Sequence, residues 1–483
     1  MALLNLNYKR LLLSMLTIAL VSCSNPWEDR ENNGDVNLSV TLSEAITNTA
    51  EVSQFGQLLV QTGYDKILAA SKTYTVFVPT NEAMGQVDNA ILNNPEALKK
   101  FVANHIALTA YSSIRTKAQE KIKMLGDKYL LFKGATLIDD ATIIDADHYA
   151  NNGVYHIINK ALTPKLNIWQ YINSQSSSSA MSAYLLSLKD FSIYSDDIAA
   201  KAGSSPGYLA DSLSNSYLRN VYNLNNEKNS YTLFLMQDDG YNAEVNKMKP
   251  YLIKTSNNVN IDSTAIYSKY FTLRDMAFPK KYELNDLPAT LTSRFGIEVP
   301  VDKTQIVGEP IHLSNGIVYI MKKVDVALTK RLLTTKIEGE KNTSYLGARF
   351  RILYRDRKDP FGTLYNDVAV LSTGTGLFTL NYNAKDLYST TYKVYWRAVN
   401  EQSNVFQQRL VVGTYIKDNV YDHTKALMAF PYMDLPIKLY SEVYLGDFTL
   451  TKSGNIDLIS LISLNSTTAS LSLDYFKFVP VLK

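Results

Sequence analysis

Apolar positions follow three different rhythms along the chain. Near the start, Leu11 to Val21 (LLLSMLTIALV) is a mostly apolar run behind Lys9 and Arg10. In the middle, short apolar runs alternate with helical periods. Residues 74–78 (YTVFV) predict a short buried strand, and Pro79, with no N–H to donate, stops its ladder. Thr80 or Asn81 then predicts a helix cap, with Glu82 in the first turn. Phe55, Leu58 and Leu59 share one face of a helix expected over 43–64, which Gly63 is placed to end. Leu98, Phe101, Val102 and Ile106 mark a second helix over 95–111. Asn152-Gly153 predicts a tight turn into a strand over 154–158. From about residue 335 the period becomes two. Phe350, Ile352 and Tyr354 alternate with arginines, and Tyr392-Lys393-Val394-Tyr395-Trp396-Arg397-Ala398 alternates likewise. Leu471-Ser472-Leu473-Asp474-Tyr475 adds a third such run. Turn signals at Asp359-Pro360-Phe361-Gly362, Gly374-Thr375-Gly376 and Ser453-Gly454-Asn455 separate the runs. Residues 335–483 therefore predict an all-β antiparallel sandwich or jelly roll.

The first rhythm is an address. A run of this length falls short of the roughly 20 apolar residues a spanning helix needs, and its basic flank makes residues 1–22 a signal peptide. The run ends in Leu20-Val21-Ser22-Cys23, which resembles the bacterial lipobox. That resemblance implies cleavage before Cys23 and attachment of fatty acids to it. Cys23 is the chain's one cysteine, so it has no partner for an intramolecular disulfide. Two acyl chains, at about 0.8 kcal/mol per buried CH₂, hold a protein stably on a membrane. Residues 23–37 then read as a polar, lipidated tether. Its Trp27-Glu28-Asp29 resembles the acidic segment of surface-exported lipoproteins of the Bacteroidetes, which implies an outer-membrane protein facing the cell exterior.

Two segments recur. Tyr74-Thr75-Val76-Phe77-Val78 is echoed by Tyr231-Thr232-Leu233-Phe234-Leu235, and Asn152-Gly153-Val154-Tyr155 by Asn315-Gly316-Ile317-Val318-Tyr319. The offsets, 157 and 163, nearly agree, so the chain holds two like units and a remainder. The box from Thr75 to Ala83 (TVFVPTNEA), the pair Asn104-His105 with Tyr111 downstream, and the closing run Asn152 to Ile158 together resemble the fasciclin domain over 38–165. That resemblance implies a compact α+β fold, used for adhesion or binding without cofactor chemistry. Residues 166–328 read as a degenerate second copy. Its Pro-Thr-Asn-Glu box is replaced by Met236-Gln237-Asp238-Asp239, and its Asn-His pair has no clear match, the nearest segment being Tyr270 to Asp275. The expected fold is thus multidomain: two α+β fasciclin-like domains followed by an all-β antiparallel sandwich. Gly446 to Leu450 and Leu473 to Pro480 resemble the C-terminal jelly-roll modules of Bacteroidetes surface lipoproteins, which implies a ligand- or glycan-binding scaffold.

Composition narrows the chemistry. Lys+Arg number 49 against 46 Asp+Glu, which argues against a nucleic-acid platform. One Cys excludes a multi-Cys zinc site, and five scattered His leave little for metal ligation. Gly203-Ser204-Ser205-Pro206-Gly207 matches G-x-S-x-G only as a string, for no clear strand precedes it. Asp145-Ala146-Asp147-His148 reads as a solvated turn, His105 as a structural histidine and His156 as a packed strand residue. No catalytic residue, metal ligand or cofactor is expected, apart from the lipid on Cys23. The 33 Tyr outnumber Phe and Trp together. Thirteen lie from Tyr345 to Tyr475, where rings with a polar tip suit sugar faces. Trp396, Tyr392 and Tyr395 are the candidate ligand contacts, although β propensity accounts for the same residues as core. The expected role is non-enzymatic binding, accessory to a TonB-dependent transporter and its lipoprotein partner in glycan or peptide uptake. The alternative is adhesion to host matrix or other cells. A hydrolase would need two carboxylates facing each other at about 5–10 Å across a cleft.

Overall fold

A computed structural model describes residues 39–483 except 71–72, 114–118, 135, 195–213, 256–261, 375, 414, 418–419 and 423–424. Cys23, its tether and the Gly203–Gly207 string lie outside the described residues. Among the described residues no helix is long and apolar enough to cross a membrane. The chain divides into two compact units. One holds the residues up to Tyr171 with Leu224–Ser230 and His312–Gly316; the other holds Ile172–Asn223, Tyr231–Ile311 and Ile317–Lys483.

The first unit is built on a seven-stranded sheet. Its spatial order is Ile106–Ala107, Tyr74–Pro79, Gly153–Ile158, Ala141–Ala150, Leu137–Ile138, Tyr129–Phe132, Glu120–Lys123. Tyr74–Pro79, buried throughout as its β-rich sequence predicts, runs parallel to Gly153–Ile158 and antiparallel to Ile106–Ala107. Thr80 then caps a short helix by accepting from the Ala83 N–H. Gly153 lets the two central strands approach: a Cβ there would stand 2.1 Å from the Tyr74 carbonyl oxygen.

The helix expected over 43–64 is two helices, Leu42–Asn48 and Ser53–Thr62, with a 3₁₀ turn between. Thr49 breaks it by taking an extended conformation while its hydroxyl donates to the Ala45 carbonyl. Gly63 ends the second helix at φ 77°. The helix expected over 95–111 ends at Ala103, because the chain turns at Asn104-His105 and Ile106-Ala107 joins the sheet.

A four-stranded sheet runs Ile311–Leu313, Gly316–Met321, Tyr231–Met236, Ala277–Phe278, the strand order of the first sheet's centre. The C-terminal part is all β. One sheet runs Thr335–Glu338, Tyr475–Pro480, Thr391–Arg397, Val443–Thr449; a second runs Leu353–Lys358, Leu364–Val370, Leu471–Leu473. A third is built around Thr379–Leu387, Gly454–Ser463 and Phe406–Val412. Tyr382 of this third sheet meets Phe476 of the first edge-on at 5.4 Å, so the sheets face each other across one core. The strand expected over 349–355 begins only at Leu353. Gly347, at φ 123° against the Phe378 ring, turns the chain, and Arg349–Arg351 closes a 3₁₀ turn. Ile352 enters the core, whereas Phe350 is 79% exposed and Tyr354 points to solvent.

Candidate binding site

Strand alternation sorts the aromatic residues of Thr391–Arg397. Tyr392, Val394 and Trp396 point inward and are buried, Tyr392 stacking on Phe448 at 5.2 Å. Tyr392 and Trp396 are therefore core residues and present no face to a ligand, contrary to their candidacy. Tyr395 lies on the outer face, half-buried, 5.3 Å from Tyr444. The same outer face carries Lys393 and, at the strand's end, Arg397.

Arg397 forms the floor of a cleft of about 610 Å³. Its Nη2 pairs with Asp359 at 3.2 Å, its Nη1 with Asp474, and its Nε donates to the Tyr440 carbonyl at 2.7 Å. The guanidinium thus ties three separate segments together, and its plane lies 4.4 Å from the Tyr365 ring centre. Asp359 is fixed from both sides: its Oδ1 accepts the N–H groups of Phe361 and Thr363 in the turn foreseen from Asp359-Pro360-Phe361-Gly362. Burial pushes the Asp474 carboxyl above its ordinary pKa, while Arg397 pulls it back. Tyr365, Tyr440 and Tyr475 line the walls with Lys336, Glu338 and Glu340. Tyr475 donates to Glu442 at 2.7 Å and lies under the Lys336 ammonium, 3.9 Å from the ring centre. Two carboxylates do flank the cleft floor, but both bind one guanidinium. That pairing fits an ionic brace better than an acid and a nucleophile.

The arrangement offers two half-buried tyrosines, Tyr440 and Tyr475, beside the buried Tyr365, with convergent carboxylate and ammonium groups, which suits a polyhydroxylated ligand. Sequence reasoning missed Tyr365, Tyr440, Tyr475 and Arg397. The available signal was the alternation placing Lys393, Tyr395 and Arg397 opposite the buried set.

The histidines of the first unit are structural in geometry. His105 is fully buried between Phe55 and Phe101, its Nδ1 on the Phe101 carbonyl at 2.8 Å and its Nε2 accepting the Leu162 N–H at 2.9 Å. Burial drives its pKa down to about 4. His156 accepts the Asp147 N–H through Nδ1 and donates through Nε2 to the Tyr111 carbonyl. Burial lowers its pKa too. Asp145–His148 is not the solvated turn expected but an irregular stretch of the strand Ala141–Ala150, paired with Gly153–Ile158; there His148 pairs with Asp145 at 2.8 Å and stacks on Tyr155. Among the described residues no cluster of His, Cys, Asp and Glu is arranged to hold a metal ion.

With this geometry in place, residues 50–164 match the family model of the fasciclin domain, so the chain carries a fasciclin domain. Over 108 residues it is 32% identical to the protein sll1483 of Synechocystis sp., covering 20% of this chain and 59% of that protein. The FAS1 domain pair of the insect cell adhesion molecule fasciclin I is 15% identical, covering 59% of this chain and 99% of its own, with a TM-score of 0.22. A family 35 carbohydrate binding module from Clostridium thermocellum is 12% identical over 31% of this chain and 99% of its own, also at a TM-score of 0.22. At these scores neither structure assigns a ligand to this chain. A fasciclin domain accompanied by facing β-sheets fits a non-enzymatic binding role.

Proposed function

We infer that this protein is a lipid-anchored, outward-facing outer-membrane lipoprotein that binds saccharide without chemical turnover, as an accessory to a TonB-dependent uptake complex. The observation that carries the binding reading is the C-terminal cleft: three tyrosines around a buried Arg397–Asp359–Asp474 brace. The brace holds the walls, and the tyrosines and the unpartnered Oε2 of Glu340 meet the ligand. Such contacts are individually weak, and confinement to one membrane with a transporter raises their effect. Titration of the purified protein with neutral oligosaccharides tests it. Tyr475→Ala should weaken binding by about tenfold or more, equivalent to roughly 1.4 kcal/mol. Tyr444→Ala, on the same sheet but outside the cleft, should leave binding unchanged. Equal binding by both variants overturns the assignment.

The anchor has its own test. Cys23→Ala should abolish palmitate labelling and release the protein from the membrane fraction; a variant that still labels and sediments refutes the lipoprotein reading. Adhesion to host matrix or other cells is the second reading. It is favoured by Phe350, Phe361 and Leu364, which are 79%, 85% and 77% exposed.

A further inference from the structure

A second cleft, of about 260 Å³, lies in the C-terminal β region. Three independent segments carry residues of both clefts. On the hairpin, Arg357 of the smaller cleft is the register partner of Tyr365 of the larger. Arg397 leads in sequence to Asn400 and Gln402 of the smaller cleft, and Leu471-Ser472 leads back to Asp474-Tyr475 of the larger. The Tyr440 hydroxyl reaches Glu401 at 3.5 Å, so the wall of one cleft touches the wall of the other. Three chain segments crossing the same boundary in this way set the two clefts side by side, together called the groove below. The step from Asp474 to Leu471 alone spans roughly 10 Å of extended chain, more than one sugar ring.

The charges of the groove specify the ligand further. Arg355 is held bidentately by buried Asp367, Arg357 by Glu401, and Arg397 by Asp359 and Asp474. Lys336, at 2.9 Å from Glu338, is the remaining cation, facing Glu338 and Glu340. A uronate or sulfated chain would find no surplus of positive charge here and would meet carboxylates. We propose that the groove binds a neutral linear polysaccharide along its length, internal units seated in both clefts, rather than a sugar end-group in one. This rests on the saccharide reading above and deepens it.

The test is calorimetric titration of the full chain with neutral xylan, glucan, mannan and starch fragments from disaccharide to hexasaccharide, beside oligogalacturonates. Affinity for the series that binds should rise at least about tenfold with length, roughly 1.4 kcal/mol. Gln402→Ala, or Phe406→Ala as a second variant in the smaller cleft, should remove that gain. Oligogalacturonates should bind more weakly than the neutral series. Equal affinity for every length, or tighter binding of the galacturonates, overturns the groove while leaving the saccharide reading standing. No binding at any length sinks the saccharide reading itself, and the groove with it.

Discussion

The fasciclin domain and the repeat that follows it keep one set of backbone clamps and exchange the side chains buried around them. In the first, the Thr75 hydroxyl donates to the Thr109 carbonyl and accepts the Tyr111 N–H; in the second, Thr232 does the same with Lys280 and Tyr282. Asn152 accepts the Leu42 N–H and donates to the Leu68 carbonyl; Asn315 accepts from Ile168 and donates to Leu224. His156 donates to the Tyr111 carbonyl, and at its position Tyr319 donates to that of Tyr282. The Phe77 N–H finds His105 O where the Phe234 N–H finds Met276 O. Those bonds place Asp275-Met276 where the first domain has Asn104-His105. The lesson is that the clamps hold the backbone, while the buried polar residues beside them vary with their compensations. Neutral Asn104 donates to the Leu162 carbonyl. Its counterpart Asp275 brings a charge into the core and is met by Ser293 and by buried Arg331, which also pairs with Glu244 at 3.1 Å.

The largest expected effect breaks that compensation. Arg331→Met removes the buried cation that Asp275 and Glu244 share, leaving only Arg274 near the one and Lys247 on the other, and should destabilise the second repeat by about 3–5 kcal/mol. Urea titration read by limited proteolysis, with peptides assigned to each repeat, measures this. Burial already pushes the Asp275 carboxyl up, so losing Arg331 pushes it higher. The variant should therefore recover part of its loss as pH falls.

The next effect distinguishes the repeats by pH. Buried His105, held down to about 4, stays neutral in the fold, whereas the unfolded histidine takes its proton near 6.5. The first domain should thus lose stability as pH falls from 6.5 to 4, by about 1.4 kcal/mol per unit and about 3 kcal/mol in all. His105→Met, the residue type of the second repeat, should reduce that slope to the share left by buried His156; an unchanged slope in proteolysis-detected urea melts would show that His105 carries none of it. Smallest is a symmetry test. Thr75→Val and Thr232→Val each strand a backbone N–H and a carbonyl, and each should cost about 1–3 kcal/mol in its own repeat. A cost in one repeat alone would contradict a shared clamp.

Much of this comparison was legible in the chain, unevenly. The strands Tyr74–Pro79 and Tyr231–Met236 were visible because a β-rich run and the echo of Tyr-Thr-x-Phe mark them. The equivalence of Asp275-Met276 to Asn104-His105 was not, because a backbone hydrogen bond defines it and residue type does not. In the C-terminal part, turns and alternation announced antiparallel strands, but Phe350 and Tyr354 showed that alternation alone cannot locate a strand's first residue when a 3₁₀ turn precedes it. The aromatic candidates failed for a related reason. Tyr392 and Trp396 are favoured at once by β propensity and by burial. The cleft residues Tyr365, Arg397, Tyr440 and Tyr475 come from segments far apart in sequence, converging only once the sheets pack.

The binding role is assigned to the C-terminal groove and not to the fasciclin domain. Hydrogen exchange with peptide-level resolution, with and without a neutral hexasaccharide that binds, tests that assignment most directly. Protection should fall on peptides containing residues 359–366, 397–402 and 471–475, with none gained over 50–164. Protection gained over 50–164 and absent from the groove would contradict it.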